Sequence, residues 1–256
     1  TIDLVIVSTT TPDMPVSSTA AFVATSLGAT NAFGYDLQGA CSGFLFGMSA
    51  ASAHIVSGRY KKVLLIGADT MSSIIDYTDR TTCVIFGDGA GAVLFEPNEE
   101  GLGLQDEVLR VDGKGREFLK IEAGGSMLPA SSETVSKRQH FLYQEGRQVF
   151  KFAVSNMSSA IDQILQQNQL TKKEIDYVVA HQANKRILDA IAKNLELDYG
   201  QMLTNIERYG NTTAATLPLL LWDYESKLKK NQKLLFTAFG GGFTWGATYL
   251  TWAYND

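Results

Sequence analysis

With 256 residues, 45% of them hydrophobic and 19% charged, the chain has ordinary globular composition and enough length for one large domain or two fused halves. Its net charge of −5 argues against a general nucleic-acid binder, and no run approaches the roughly 20 apolar residues that cross a bilayer. The first residues, Thr1-Ile2-Asp3-Leu4, show no initiator Met and no signal peptide, although a missing start could hide one.

Taken in chain order, the pattern predicts a strand at 2–7, a helix at 17–27, a strand at 33–38 and a helix at 42–57. A strand at 62–68 and another at 91–96 follow, the second preceded by Phe86-Gly87-Asp88-Gly89. Residues 97–146 are the least regular and read as a linker with surface loops and a short hairpin. Beyond them come an amphipathic helix at 147–169, a strand at 175–180, helices at 184–194 and 212–227, and strands at 233–238 and 245–252. Alternating strands and helices with apolar strands indicate an α/β layered fold.

The chain also repeats itself. Ile2-Asp3-Leu4-Val5-Ile6-Val7 resembles Ile175-Asp176-Tyr177-Val178-Val179-Ala180, and Lys62-Val63-Leu64-Leu65-Ile66 resembles Gln232-Lys233-Leu234-Leu235-Phe236, each displaced by roughly 170 residues. The glycine-rich stretches before the last strand of each half match in the same order. The expected division is a first half at 1–96, a linker at 97–146 and a second half at 147–256. Only the second half has a helix ahead of its first matching strand. By the logic of the repeat the first half lacks that helix and a strand before it, so the chain reads as a fragment with its N-terminal part missing.

Three residues have addresses suited to chemistry. Cys41 lies in Gln38-Gly39-Ala40-Cys41-Ser42-Gly43, where a strand ends and a helix begins; unpaired N–H groups and the helix dipole there are expected to favour a thiolate. Cys83, inside Thr81-Thr82-Cys83-Val84-Ile85, reads as core filling, and both cysteines are expected to be reduced. His181 ends the strand at 175–180, where parallel sheets present reactive groups, while His54 and His140 read as bystanders. Asn211, in Tyr209-Gly210-Asn211-Thr212, could simply cap a helix, but the repeat makes it the positional twin of Cys41. Two halves related by a pseudo-twofold axis would bring Cys41, His181 and Asn211 together. The Gly240-Gly241-Gly242 turn could point an N–H at a developing oxyanion beside that of Cys41; a phosphate loop is the weaker reading, because no Gly-Lys-Ser/Thr follows.

These motifs closely resemble the thiolase superfamily and, within it, the β-ketoacyl-acyl-carrier-protein synthase III family. The match rests on the Cys41 turn, Thr78-Asp79-Arg80, Phe86-Gly-Asp-Gly-Ala-Gly-Ala92, His181-Gln-Ala-Asn-Lys-Arg-Ile187, Tyr209-Gly-Asn-Thr212 and Phe239-Gly-Gly-Gly-Phe-Thr-Trp-Gly246. The resemblance implies a five-layer αβαβα fold of two duplicated halves, a homodimer, a cytoplasmic location, and no cofactor or metal beyond coenzyme A thioester as substrate. It implies that Cys41 accepts an acyl group from acyl-CoA, with the N–H groups of Cys41 and Gly241 as oxyanion hole. Malonyl-acyl-carrier protein then loses carbon dioxide, with His181 and Asn211 hydrogen-bonded to its thioester carbonyl, and the carbanion attacks the acyl-cysteine. Asn in place of a second His points to the initiating type of condensing enzyme.

Further positions follow from the same resemblance. Arg80 would touch the coenzyme A nucleotide, Gly146 and Phe150 would line the pantetheine tunnel, and Asn184 would support the histidine. Val16 would reach the acyl pocket of a second subunit, and Lys151, Arg186 and Lys193 would greet the acidic carrier protein. The tryptophan and arginine that clamp adenine in the family have no counterpart here. Other readings are a relative acting in polyketide or ketone synthesis, a non-catalytic acyl-binding partner, and a papain-like thiol hydrolase, which predicts no duplication.

Overall fold

A computed structural model describes residues 1–198 and 200–255. The chain opens with β1 (Leu4–Ser8), α1 (Thr19–Ser26) and β2 (Phe33–Leu37), then α2 (Gly43–Val56), β3 (Val63–Asp69) and β4 (Gly89–Phe95). Next come β5 (Gly103–Val111), β6 (Leu119–Ile121), α3 (Ser132–Ser136) and β7 (Leu142–Gln144). The remainder is α4 (Gly146–Gln167), β8 (Tyr177–Ala180), α5 (Lys185–Asn194), α6 (Ile206–Tyr209), α7 (Thr216–Tyr224), β9 (Lys233–Gly240) and β10 (Thr244–Thr251).

One sheet has the order β2-β1-β3-β4 and the other β5-β10-β9-β8. In the first, β1 runs parallel to β3 and β3 antiparallel to β4; in the second, β8 runs parallel to β9 and β9 antiparallel to β10. The two halves thus share one pairing scheme, as the internal repeat requires.

The strands are apolar because each sheet is covered on both faces. Along β1, Val5 and Val7 pack with Ala20 and Ala24 of α1, while Leu4 and Ile6 turn inward to Phe44, Leu45 and Met48 of α2. The same inner cluster takes Leu217 and Leu220 of α7 and Leu234, Phe236 and Ala238 of β9. On the far side of the second sheet, Leu235 and Phe239 meet Met157, Ile161 and Ile164 of α4 and Ile187 and Ile191 of α5. The layers therefore run α1, first sheet, α2 with α7, second sheet, α4 with α5: the expected αβαβα stack.

The structure differs from the predicted elements mainly between residues 97 and 146. Residues 103–111 form β5, a nine-residue strand on the edge of the second sheet. Its polar sequence, Gly-Leu-Gln-Asp-Glu-Val-Leu-Arg-Val, hides it, because only Val108 is fully buried and backbone pairing to β10 does the rest. The irregular stretch also holds the expected short hairpin, β6–β7, together with the short α3. In the second half the counterpart of β2 shrinks to a single bridge between Val178 and Met202.

Candidate active site

Cys41 stands where β2 gives way to α2. Ala40 takes a left-handed φ of 47°, and Cys41 is the middle residue of a 3-10 turn, Ala40–Ser42, that runs straight into α2. The second sheet clasps this turn. Thr244 Oγ1 donates to the Gly39 carbonyl at 2.8 Å, and Ser42 Oγ donates to the Thr244 carbonyl at 3.0 Å. At the end of β9, a Cβ on Gly240 would sit 2.6 Å from the Cys41 nitrogen, so this approach needs glycine.

Burial pushes the Cys41 thiol up to about 12; the negative charge of Asp69 adds to the rise and the residue's own N–H opposes it. This corrects the expectation of a favoured thiolate. The helix terminus is present, but desolvation of a side chain only 6% exposed outweighs it, and the resting sulfur is a thiol.

His181 follows β8 directly, and its N–H donates to the Thr237 carbonyl of β9 at 2.8 Å. The ring is 1% exposed, and burial pulls its pKa from 6.5 to about 3, so the imidazole is neutral. Its Nδ1 lies 2.7 Å from Thr216 Oγ1. Asn211 is pinned through its backbone: its N–H donates to the Ile85 carbonyl and its carbonyl accepts from the Gly87 N–H, both at 3.0 Å. Asn211 Oδ1 accepts from the Thr213 N–H at 2.9 Å, which leaves Nδ2 as the free donor of the carboxamide.

These three residues belong to one bonded unit. Thr237 and Gly240 of β9 hold His181 and the Cys41 turn a few residues apart along the same strand. Asn211 connects to His181 through Thr213 and Thr216, since Thr216 Oγ1 also lies 3.1 Å from the Thr213 carbonyl. Asp69, at the C-terminal end of β3, ties this unit to the first half. Its carboxylate accepts from the hydroxyls of Thr9, Thr10, Thr11 and Thr213 and from the Ala214 N–H at 3.2 Å. Sequence reading passed over Asp69, Thr213 and Thr216. The signal for Asp69 was available, because it ends a parallel strand just as His181 does.

A cavity of about 470 Å³ opens on the Cys41 turn. Cys41, Gly241 and Thr213 lie on its wall, together with Met71, Phe86 and Leu142, and the wall is mostly apolar although Arg116 and Lys120 also border it. No turn or loop carbonyl accepts the Gly241 N–H among the described residues. His181 and Asn211 do not line this cavity; Asn211 is bonded to Thr213, which does.

The remaining expected positions lie elsewhere. Arg80 is exposed in the loop after β3, Gly146 opens α4, and Phe150 is half-buried against the outer core with the Arg186 guanidinium 5.8 Å from its ring centre. Asn184 caps α5, its Oδ1 accepting from the Ile187 N–H at 3.0 Å. Val16 is fully exposed with a φ of 76°. None of these five lines the cavity. Lys151 on α4 and Arg186 and Lys193 on α5 are exposed in one outer layer.

Among known proteins, residues 35–113 match the family described as 3-oxoacyl-[acyl-carrier-protein (ACP)] synthase III, and residues 165–252 match its C-terminal model. A Bacteroides thetaiotaomicron protein named β-ketoacyl-[acyl-carrier-protein] synthase III 2 is 57% identical over 254 residues, which is 99% of this chain and 76% of that protein. A Phocaeicola vulgatus synthase III is 55% identical over the same shares of the two chains. The crystal structure of the Thermus thermophilus synthase III superposes with a TM-score of 0.90 at 39% identity, covering 98% of this chain and 78% of that one.

Proposed function

Because this chain belongs to the β-ketoacyl-acyl-carrier-protein synthase III family, we propose that it condenses an acyl-CoA with malonyl-acyl-carrier protein, the step that starts fatty-acid synthesis. The observation that supports this most directly is a buried cysteine on the wall of an apolar cavity, bonded into one unit with a neutral histidine and an asparagine whose Nδ2 is free.

The first half-reaction exchanges thioesters. The Cys41 sulfur attacks the acyl-CoA carbonyl, the bond to the coenzyme A sulfur breaks, and the cysteine proton ends on coenzyme A. Because the resting group is a thiol, attack and proton loss are coupled instead of starting from a standing thiolate. The N–H groups of Cys41 and Gly241 stabilise the oxyanion, the acyl chain lies along Met71, Phe86 and Leu142, and no cofactor takes part.

In the second half-reaction malonyl-carrier protein loses carbon dioxide. The electron pair of the broken C–C bond moves onto the thioester as an enolate, held by hydrogen bonds from His181 Nε2–H and Asn211 Nδ2–H. The enolate carbon attacks the acyl-Cys41 carbonyl, the C–S bond breaks to release β-ketoacyl-carrier protein, and the expelled cysteine thiolate takes a proton from water. A neutral histidine suits this role, since a donor is needed and no proton has to be lost.

Arg80 is assigned to the coenzyme A nucleotide, Gly146 and Phe150 to the pantetheine tunnel, Asn184 to support of the histidine, and Lys151, Arg186 and Lys193 to docking of the acidic carrier protein. Val16 projects from its own chain and is assigned to the acyl pocket of a second copy in a homodimer. Substrates of this kind place the reaction in the cytoplasm, while among the described residues no helix is long and apolar enough to cross a membrane.

The reading is tested with malonyl-carrier protein labelled with 13C in its free carboxyl, offered with either acyl-CoA or acyl-carrier protein as primer. Labelled carbon dioxide and a β-ketoacyl product from acyl-CoA are expected. Product formed only from acyl-carrier protein would instead identify an elongating enzyme.

A further inference from the structure

The proposed condensation uses His181 as a donor at Nε2, and a neutral ring can hold its one proton on either nitrogen. The partner of Nδ1 decides between them. Among the described residues that partner is Thr216, whose Oγ1 lies 2.7 Å from Nδ1 and 3.1 Å from the Thr213 carbonyl. One hydroxyl proton cannot serve both. The Thr213 carbonyl already accepts the backbone N–H of Thr216 in the 3-10 turn Thr213–Ala215, so it does not need the hydroxyl. The shorter contact, at a distance typical of a hydroxyl donor, is the one to the ring.

We propose that Thr216 donates its hydroxyl proton to His181 Nδ1, fixes the Nε2–H tautomer, and is a positioning residue for the decarboxylative half-reaction. This inference rests on the donor role given to His181 above. Thr216 is 2% exposed, so bulk water cannot take its place. The same turn orders the second donor, because the Thr213 N–H occupies Asn211 Oδ1 and leaves Nδ2 as the donor of that carboxamide. Thr213 holds a left-handed φ of 50°, and its hydroxyl and the next N–H are both bound by Asp69. One short turn, anchored on a buried carboxylate, thus sets the polarity of both groups that meet the enolate. The opposite assignment, with the hydroxyl on the Thr213 carbonyl, would leave Nε2 a bare base unable to donate.

The tautomer is read directly in the chain labelled with 15N-histidine, from long-range 1H–15N correlations, with the His181 signals identified by their loss in His181→Asn. The expected spectrum shows the proton on Nε2 in the wild type and in Thr216→Ser, and a mixture in Thr216→Val. Thr216→Val should slow condensation about ten-fold or more, within the roughly 10²–10⁴-fold that a positioned proton donor contributes. Acylation of Cys41 by acyl-CoA should change by no more than about two-fold in the same variant, because that half-reaction does not use the bond. Thr216→Ser should restore condensation. A wild-type proton on Nδ1, or an undiminished condensation rate in Thr216→Val, overturns the proposal. Loss of acylation and condensation together in Thr216→Val marks a packing role and overturns it as well. If the wild type makes no β-ketoacyl product at all, the functional reading has failed, and the tautomer alone then decides the fate of this inference.

Discussion

Cys41 and His181 both rest uncharged, for the same reason: each is almost wholly removed from water, and burial penalises whichever form carries charge. For the histidine this has a consequence for stability. In the unfolded chain the imidazole gains a proton near pH 6.5, whereas in the fold it stays neutral down to about pH 3. Between those values the unfolded state binds more protons, so stability falls as the pH falls through that window and is unaffected by His181 above it. Urea denaturation at pH 7 and pH 5 should show the wild type losing about 2 kcal/mol more than His181→Asn across that interval. Equal losses in the two proteins would contradict a buried neutral histidine. The cysteine gives the opposite lesson. Its place at a helix start was readable from small residues after a strand, but its protonation was not, because the second sheet that clasps its turn and the charge of Asp69 come from distant parts of the chain.

At the scale of elements, the site depends on turns that press against strands. β3 receives the turn after Asn211 at Gly67, where a Cβ would collide with the Ala214 carbonyl. Gly67→Ala should therefore push that turn away, cost about 1–3 kcal/mol as other overpacked sites do, and slow condensation. Gly113→Ala, where a Cβ meets nothing within 4 Å and φ is ordinary, should stay within about 0.5 kcal/mol in the same thermal melts. Equal effects at the two positions would count against the close approach. Much of the element order was legible, because apolar strands and the amphipathic α4 carry strong periodic signals. β5 was not, since an edge strand with one fully buried side chain is stabilised by backbone pairing that leaves little mark on sequence. The expectation that Cys41 and Asn211 meet came from the repeat. The network of Asp69, Thr213 and Thr216 around Asn211 and His181 stayed hidden, because threonines at the start of a helix read as ordinary turn residues.

For the whole molecule, two duplicated sheets back to back enclose α2 and α7 and leave α4 and α5 as one outer surface. Lys151, Arg186 and Lys193 on that surface are assigned to an acidic partner, although the chain as a whole is negative. Replacing all three with Glu should raise the KM for malonyl-carrier protein about ten-fold or more at low salt, with a smaller effect at high salt, and leave acylation by acyl-CoA unchanged. An equal loss in both half-reactions would point to damage in the fold instead. Cys41 is assigned to hold the acyl group between the two half-reactions, and intact-mass measurement tests that assignment. Incubated with acyl-CoA alone, the wild type should gain the mass of one acyl group and Cys41→Ala should gain none. Malonyl-carrier protein should then remove that mass as β-ketoacyl product, while water alone leaves it in place. An adduct that forms without Cys41, or one that water discharges as free acid, would contradict the account.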